Sequence, residues 1–328
     1  MSNEIPEYIN NWLNIIENMS NDNTYKLAWG RSILECISFN RYSTKENKYI
    51  IKFTDIAECM IKYYRNQQFF FSLKQSPYID KDPIICTETN KLIKAYKDIS
   101  KSNIPVWHDK GIELLEKECP LLLNQVRSKI AYTLNTDVAW RFKIVNSKNI
   151  EIYTYDKHNR NEISFNSDAI AHLNEYNYIL AKLLNYKWTQ LLEKFNHSPR
   201  IAMKVSGISE SKLRRNSLAR FKTELLKEFE NGKIIDFYTG LELKLNEISI
   251  DHVIPWSFMY SDDIWNLVIT SKNYNSSKSN TIPTEEMIEK LKDRNNELID
   301  RLADSYKKEL SRSIKGNYVG NYFYDCKV

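Results

Sequence analysis

Apolar residues recur at helical spacing over the first forty residues of the chain. Within 6–39 most of them lie three or four positions apart, which places them on one face of an α-helix. The positions concerned are Tyr8, Ile9, Trp12, Ile15, Ile16, Leu27, Ile33, Leu34 and Ile37. The pattern predicts a helical start, and similar spacing predicts helices over about 54–68, 88–99 and 107–123.

The pattern changes near residue 138. Two β-branched and aromatic runs, separated by 146–149, predict a small β-hairpin near 138–165. A long run with helical spacing follows, and Ser167 or Asp168 is its predicted N-cap. The N-terminal region is therefore predicted to be mainly helical with one small hairpin.

Loss of periodicity divides the chain into two predicted domains. The segment 197–217 has neither helical nor strand spacing and contains Pro199 and Gly207, so we predict a linker there. It separates a mainly helical domain over 1–196 from a second domain over 218–328. Together these patterns predict the α+β class.

The second domain carries a mixed pattern between residues 235 and 283. A strand-like run, a turn at Thr239 and Gly240, a second and a third strand-like run, and a short helix follow one another, and a C-terminal helix comes after them. Ser271 is the predicted N-cap of the short helix, on which Asn275 and Lys278 share a face.

Composition and charge narrow the class of protein. Hydrophobic residues make up 42% of the 328-residue chain, against 7 Gly and 8 Pro, which disfavours disorder. Five scattered cysteines without a CxxC pair disfavour a disulfide framework. No signal peptide or membrane-spanning run is apparent, so we expect a cytoplasmic protein. A net charge of +5 permits an anionic partner such as nucleic acid without requiring one.

The candidate chemistry lies in the stretch IDHVIPWSFMYSDDIWNLVITSKNYNSSKSNTIP. An aspartate carboxylate and an asparagine carbonyl, from Asp251 and Asn275, suit Mg²⁺, which keeps positions for water and phosphate oxygens. His252 is placed to accept a proton from an attacking water. Asn266 could orient its imidazole and Lys278 could hold a phosphate, so the set matches metal-assisted hydrolysis of a phosphodiester.

This stretch resembles the HNH endonuclease motif of the ββα-metal superfamily, especially the HNH domain of RNA-guided type II CRISPR nucleases. Over 236–283 the resemblance implies that Asp251 and Asn275 bind Mg²⁺, for which Mn²⁺ can substitute, and that His252 is the general base. It also implies that Asn266 positions this base and braces the loop. Lys278 matches a basic residue that is common three positions after the second ligand.

Two departures from the family pattern change what the resemblance implies. Many HNH proteins hold a structural zinc with two CxxC pairs, but here Phe237, Tyr238, Thr239 and Gly240 stand at the first pair and Tyr274 stands where a cysteine is common. We therefore expect no structural zinc. The guide-binding lobes of the CRISPR enzymes have no counterpart in this chain, so RNA guidance does not carry over.

Several neighbouring residues have a plain structural interpretation. Asp262 and Asp263 are expected to be solvated or turn-forming, and Trp256 and Trp265 to be core aromatics. A basic cluster before the motif could follow a nucleic-acid backbone, although a solvated helix face explains it equally well. The members of this cluster that we assign to DNA contact, with Lys278, are Arg214, Arg215, Arg220 and Lys222.

The leading hypothesis is a Mg²⁺-dependent HNH endonuclease that cuts DNA by a one-metal mechanism, in restriction or anti-phage defence. The N-terminal domain would then recognise substrate, a partner protein or a signal. RNA stays open as a substrate. Two alternatives remain: a catalytically silent HNH-fold subunit that binds DNA or assembles a complex, and a homing or mobile-element nuclease.

Overall fold

The computed structural model describes residues 5–78, 82–156, 161–207, 215–229 and 232–327. Its described residues divide into two compact units. Unit 1 comprises 1–196 with 201–213, and unit 2 comprises 197–200 with 214–328. Of the predicted linker, residues 208–214 lie outside the described residues, whereas Ile201–Ser206 forms a short helix that belongs to unit 1.

Unit 1 is built mainly from helices, as its spacing predicts. Buried apolar residues lie three and four apart on most of them, so most present one face to the core, whereas the helix Tyr25–Ser38 is buried on nearly every side. In chain order the helices are α1 (Glu7–Asn18), α2 (Tyr25–Ser38), α3 (Phe53–Arg65), α4 (Ile84–Ser100), α5 (His108–Glu118), α6 (Pro120–Thr133), α7 (Ala139–Phe142), α8 (Ser167–Glu193) and α9 (Ile201–Ser206).

Two helix boundaries differ from the prediction. The helix predicted over 107–123 is two helices, because Pro120 begins α6. Proline is favourable at the first position of a helix, since the N–H that it lacks would have no acceptor within the helix. The N-cap of α8 is Asn166, whose side chain accepts a hydrogen bond from the Ala169 N–H at 2.8 Å, and not Ser167 or Asp168. Such shifts of one residue are typical, since several polar residues compete for one cap.

Helices α2 and α8 cross at the centre of unit 1. Gly30 on α2 makes the close approach possible, since a Cβ at this position would lie 3.1 Å from Leu184 on α8 and from Phe142. Large aromatic residues fill the space around the crossing and are fully buried: Trp12, Trp29, Phe53, Tyr63, Tyr64, Phe142 and Trp188. The aromatic run Phe69 to Phe71, after α3, is core as well.

The strands of unit 1 form a shorter hairpin than the one predicted near 138–165. A small hairpin does form from β3 (Ile144–Val145) and β4 (Lys148–Asn149). The second predicted run, 150–156, contains no strand and makes only an isolated bridge between Thr154 and Ser164. The strand β5 (Glu162–Phe165) pairs with one from far earlier in the chain. Its partner is β2 (Lys48–Lys52), which also pairs with β1 (Ser43–Lys45).

Unit 2 has the predicted order of strands followed by helices. Short strands β6 (Ile234–Ile235) and β7 (Glu242–Leu243) form one hairpin, and β8 (Ile248–His252) pairs antiparallel with β9 (Leu267–Ser271). Gly240, with φ of +70°, makes the predicted turn of the first hairpin. The helices are α10 (Lys222–Leu226), α11 (Trp256–Met259), α12 (Lys272–Lys278), α13 (Glu285–Leu298), α14 (Asp304–Lys315) and α15 (Tyr318–Lys327).

Unit 2 buries its own apolar core beneath the β8 and β9 pair. Ile248 of β8 and the consecutive residues Leu267, Val268 and Ile269 of β9 share this core with apolar residues of the last three helices. Its fully buried members include Val253, Ile254, Ile264, Leu267, Leu291, Leu298 and Leu310. Trp265 stacks on Tyr322 at 5.8 Å between ring centroids, so it is a core aromatic as predicted. The class of the fold is α+β.

Within the described ranges, no helix combines the length and the apolar character needed to cross a membrane.

Candidate active site

The site is built on the antiparallel pair of β8 and β9. In its register Asp251 lies opposite Val268 and His252 lies opposite Leu267. Strand pairing therefore continues through both residues, and the chain leaves the strand at Val253. Pro255 follows and begins the short helix α11.

Asn266 closes the loop that follows His252. Its side-chain carbonyl accepts a hydrogen bond from the Ile254 N–H, and its amide donates to the Ile254 carbonyl, both at 2.8 Å. The Asn266 backbone carbonyl also accepts from Val253. This is the predicted brace. Both ends of the side chain are bonded to Ile254, however, and not to the imidazole that Asn266 was expected to orient.

Asp251, His252 and Asn275 line one cavity of about 290 Å³. They reach it from different elements, because the first two come from the end of β8 and Asn275 comes from α12. Arg215 and Trp256 also line it, and the Arg215 guanidinium lies 4.4 Å from the centre of the Trp256 ring. The two predicted metal ligands and the predicted general base thus meet in one concave site.

Asp251 is buried and held by two donors on one of its oxygens. The Tyr238 hydroxyl donates to Oδ2 at 2.6 Å, and the Lys278 ammonium lies 3.0 Å from the same atom. Burial, followed by the charge of Asp251 and this hydrogen bond, raises the pKa of Tyr238, so the phenol remains a donor. With Oδ2 engaged, Oδ1 is the oxygen that Asp251 can offer to the cavity.

Asn275 has a fixed amide on α12. Ser271 caps this helix by accepting from the Tyr274 N–H, as predicted. The Asn275 amide nitrogen donates to Ser249 Oγ at 2.7 Å and to the Ile250 carbonyl at 3.4 Å. Since the nitrogen is bonded to β8, the carbonyl oxygen is the atom left for a ligand in the cavity.

Lys278 departs from its predicted role as a phosphate contact. It shares a face of α12 with Asn275, as the spacing predicts, but its side chain is only 5% exposed. Its ammonium donates to the His252 carbonyl at 2.8 Å, in addition to the ion pair with Asp251. The geometry therefore makes Lys278 an internal support of the two residues at the end of β8.

Asp262 contacts the imidazole, which the sequence interpretation missed. Asp262 Oδ1 lies 3.1 Å from His252 Nε2, and the carboxylate is almost buried, so it is not the solvated or turn-forming residue expected. Asp263 fits the turn-forming expectation, since it accepts from the hydroxyl of Ser261 two residues earlier. It also pairs with Arg200. No local spacing distinguishes these neighbouring aspartates, because the loop between α11 and β9 decides which one faces the histidine.

The first hairpin is joined to the site by polar and aromatic contacts in the place of cysteines. Asp236 accepts hydrogen bonds from the N–H groups of Tyr238, Thr239 and Ser271 and from the Thr270 hydroxyl. Burial opposes the ionisation of Asp236, but these donors outweigh it and lower its pKa. Tyr238 also stacks on Tyr274, with ring centroids 4.6 Å apart.

The basic residues assigned to DNA have different surroundings. Arg215 lines the cavity, whereas the exposed Arg220 guanidinium lies 4.0 Å from Asp262 Oδ2 at the other side of the carboxylate. Lys222 is half-buried on α10 and is not among the cavity residues. Arg214 lies outside the described residues. For all four, contact with DNA stays a prediction.

The donor set fits a hard divalent cation. Asp251 has one carboxylate oxygen to offer and Asn275 one amide oxygen, which are the ligand types that Mg²⁺ takes from proteins. Among the described residues, no group of three or more His, Cys, Asp or Glu side chains is arranged to hold a metal. A cation bound here would therefore complete its shell with water and substrate oxygens, which Mg²⁺ readily does.

Comparison with known proteins agrees with the position of this site. The family model described as HNH endonuclease matches residues 236–284. The chain is 39% identical over 66 residues to the CRISPR-associated endonuclease Cas9 of Streptococcus mutans serotype c, and 41% identical over 66 residues to that of Listeria innocua serovar 6a. Each match covers 19% of this chain and about 5% of the length of the relative. No solved structure matches the chain. Unit 2 thus contains an HNH endonuclease module, and the predicted resemblance is confirmed.

Proposed function

We propose that the protein is a Mg²⁺-dependent endonuclease that hydrolyses phosphodiester bonds of DNA at the cavity of unit 2. The observation that carries this proposal is the meeting of Asp251, His252 and Asn275 in one cavity of about 290 Å³. The HNH module supports nuclease chemistry. The metal, the DNA substrate and the roles of the residues are our own inference.

In the proposed mechanism, Asp251 Oδ1 and the Asn275 carbonyl would hold the metal. When bound, Mg²⁺ would stabilise negative charge on the phosphate and on the leaving oxygen. Arg215, at the rim of the cavity, binds a non-bridging phosphate oxygen, for which a guanidinium is suited. Lys278 and Tyr238 keep the Asp251 carboxylate in place.

His252 is the general base of the proposed reaction. It takes a proton from water, whose oxygen bonds to phosphorus while the bond between phosphorus and the 3′ oxygen breaks. The 3′ oxygen takes a proton from solvent, which leaves 5′-phosphate and 3′-hydroxyl ends. Loss of a general base typically lowers the rate by about 10²–10⁴-fold.

A plasmid-nicking assay tests the proposal. Purified protein is incubated with Mg²⁺, Mn²⁺ or EDTA, and His252→Ala and Asn275→Ala are compared with the matched variants His197→Ala and Asn273→Ala, whose side chains are exposed. We expect metal-dependent nicking that falls at least about 100-fold in the first two variants and is unchanged in the matched pair. Equal rates for His252→Ala and wild type would overturn the site. Single-stranded DNA and RNA in the same assay decide the substrate.

One observation favours a catalytically silent module as the second candidate function. The Lys278 ammonium already lies 3.0 Å from Asp251 Oδ2, so a positive charge balances the carboxylate without a metal. Salt-sensitive DNA binding without cleavage under any divalent metal would support this candidate. Metal-dependent cleavage by the wild type would remove it.

For the cell, we propose a cytoplasmic role in restriction or anti-phage defence, with unit 1 recognising substrate, a partner protein or a signal. Only analogy with other HNH proteins supports this step. Plating efficiency of phage on cells that express wild type or His252→Ala tests it. Equal plating on both strains, with cleavage retained in vitro, would argue against defence. Cleavage at one long recognition site would favour a homing nuclease instead.

A further inference from the structure

His252 and Asp262 form a nearly buried pair beside the cavity. His252 Nε2 lies 3.1 Å from Asp262 Oδ1, and the two side chains are only 11% and 7% exposed. The carboxylate comes from the loop between α11 and β9, whereas the imidazole comes from the end of β8. Their meeting is a tertiary contact that no helix or strand spacing imposes.

Asp262 is held as a carboxylate. The hydrogen bond from His252, opposed by burial and assisted by the charges of His252 and Arg220, lowers the pKa of Asp262. Arg220 lies on the second oxygen, 4.0 Å from Oδ2. An ionised carboxylate can only accept hydrogen bonds. The ring nitrogen that faces it must therefore carry a proton.

We infer that Asp262 is a positioning residue, which holds His252 as the tautomer protonated at Nε2 and leaves Nδ1 as the atom that takes the proton from water. This inference rests on the proposed function, in which His252 is the general base. A neutral imidazole donates from one nitrogen and accepts at the other, so a partner on Nε2 decides where the lone pair lies.

The carboxylate has two effects on the proposed reaction. It fixes the rotation of the ring at the end of β8, where neither Asn266 nor Lys278 bonds the imidazole: Asn266 is bonded to Ile254, and Lys278 contacts the His252 carbonyl and Asp251. It also places a negative charge beside the imidazolium that forms when Nδ1 takes its proton. Both effects act on the rate of the chemical step and leave DNA binding unchanged.

The first test reads the tautomer directly, without cleavage. Protein labelled with ¹⁵N-histidine is studied by long-range ¹H–¹⁵N NMR at increasing pH until the ring ¹⁵N shifts no longer change, so that the neutral imidazole is observed. The His252 signals are assigned by their loss in His252→Gln. We expect the wild type to be protonated at Nε2, and Asp262→Ala to show a mixture of tautomers. Protonation at Nδ1 in the wild type would overturn the inference. Asp263→Asn is the matched control, since Asp263 pairs with Arg200.

The second test reads catalysis. We expect Asp262→Ala to lower kcat about 10- to 100-fold, within the range of general-base effects, with KM changed less than twofold, and Asp262→Glu to recover part of the loss. In a His252→Ala background the same substitution should have no further effect. An equal loss in that background, or an unchanged kcat in the single variant, would contradict a role through His252. Should the wild type cut nothing, the proposed function fails, while the NMR result still decides the tautomer.

Discussion

At the scale of single residues, Lys278 shows that a correct spacing does not determine the contacts of a side chain. The three-residue interval places it beside Asn275, but its ammonium is directed inward to Asp251 and the His252 carbonyl. Sequence spacing gives the face of a helix and not the depth of a side chain. Asp251, His252 and Asn275 were within reach of sequence interpretation, because a family motif relates them. The partners Asp262 and Tyr238 depend on loop conformation.

Lys278→Met should therefore destabilise the protein and leave the electrostatics of DNA binding unchanged. Removal of one partner from a buried ion pair leaves the other charge buried without compensation, which costs about 3–5 kcal/mol of stability. We expect urea unfolding to show a free energy of unfolding lower by about 3 kcal/mol. In a His252→Ala background with Mg²⁺, we expect the slope of log DNA affinity against log salt concentration to equal that of the protein with Lys278.

Two variants calibrate this experiment. Lys272→Met removes an exposed lysine of the same helix and should change stability by less than about 0.5 kcal/mol. Arg215→Gln should reduce the salt slope by about one, as loss of a phosphate contact does. If Lys278→Met lowers the slope as Arg215→Gln does, Lys278 contacts phosphate and its inward geometry is not the functional one.

His108 gives unit 1 a predicted sensitivity to acid. It is buried at the start of α5, and its Nδ1 has no hydrogen-bond partner within the described residues. Burial, with the charges of Arg65 and Lys62, lowers its pKa from 6.5 to about 3. Between these values the unfolded chain binds a proton that the folded chain excludes. The contribution to stability is thus fully present above about pH 6.5 and is lost as the pH falls toward 3.

The measurement compares urea unfolding of wild type and His108→Phe at several pH values. Each pH unit below the unfolded pKa is worth about 1.4 kcal/mol, so the wild type should lose roughly 2–3 kcal/mol more than the variant between neutral pH and about pH 4.5. Titration of other groups is common to both proteins and cancels in the difference. Parallel pH curves for the two proteins would show that His108 becomes protonated without unfolding.

At the scale of elements, local patterns predict what is local. The helix spacing of α1 to α4 and the Ser271 cap follow from residues a few positions apart, and all are present. The pairing of β5 with β2 was not predictable in this way, because the local sequence of a strand does not specify a partner more than a hundred residues away. The sequence shows directly that the cysteine pairs are absent. It does not predict the contacts between the first hairpin and α12 that stand in their place.

The stack of Tyr238 on Tyr274 should stabilise unit 2 without zinc. Aromatic pairs contribute about 0.5–1.5 kcal/mol beyond the apolar area they bury, so we expect Tyr274→Ala to cost about 2 kcal/mol and Tyr274→Phe much less. EDTA should leave the melting temperature of both variants and of the wild type unchanged, and the purified protein should contain no stoichiometric zinc. A drop in melting temperature with EDTA, reversed by zinc, would contradict this prediction.

At the scale of the whole molecule, the α+β class and the place of the HNH module were predictable, since they depend on long apolar patterns and on one motif. The helix Ile201–Ser206 lies in the segment predicted as a linker, because six residues are too few to show a clear period. No comparable motif predicts a role for unit 1. Unit 1 nevertheless has the core that a folded domain needs, since each unit buries an apolar core of its own.

Separate cores predict separate responses to core substitutions. Leu184 in unit 1 and Leu291 in unit 2 are both fully buried, and replacement of such a leucine by alanine costs about 2–5 kcal/mol. We expect Leu291→Ala to speed hydrogen exchange in peptides from 232–327 and to leave those from 5–196 as in wild type, with Leu184→Ala giving the reverse pattern. Mass spectrometry of exchanged, digested protein resolves the two sets of peptides. Faster exchange in both sets for either variant would mean that the two cores unfold as one cooperative unit, because only then does a cavity in one lower the free energy of opening the other.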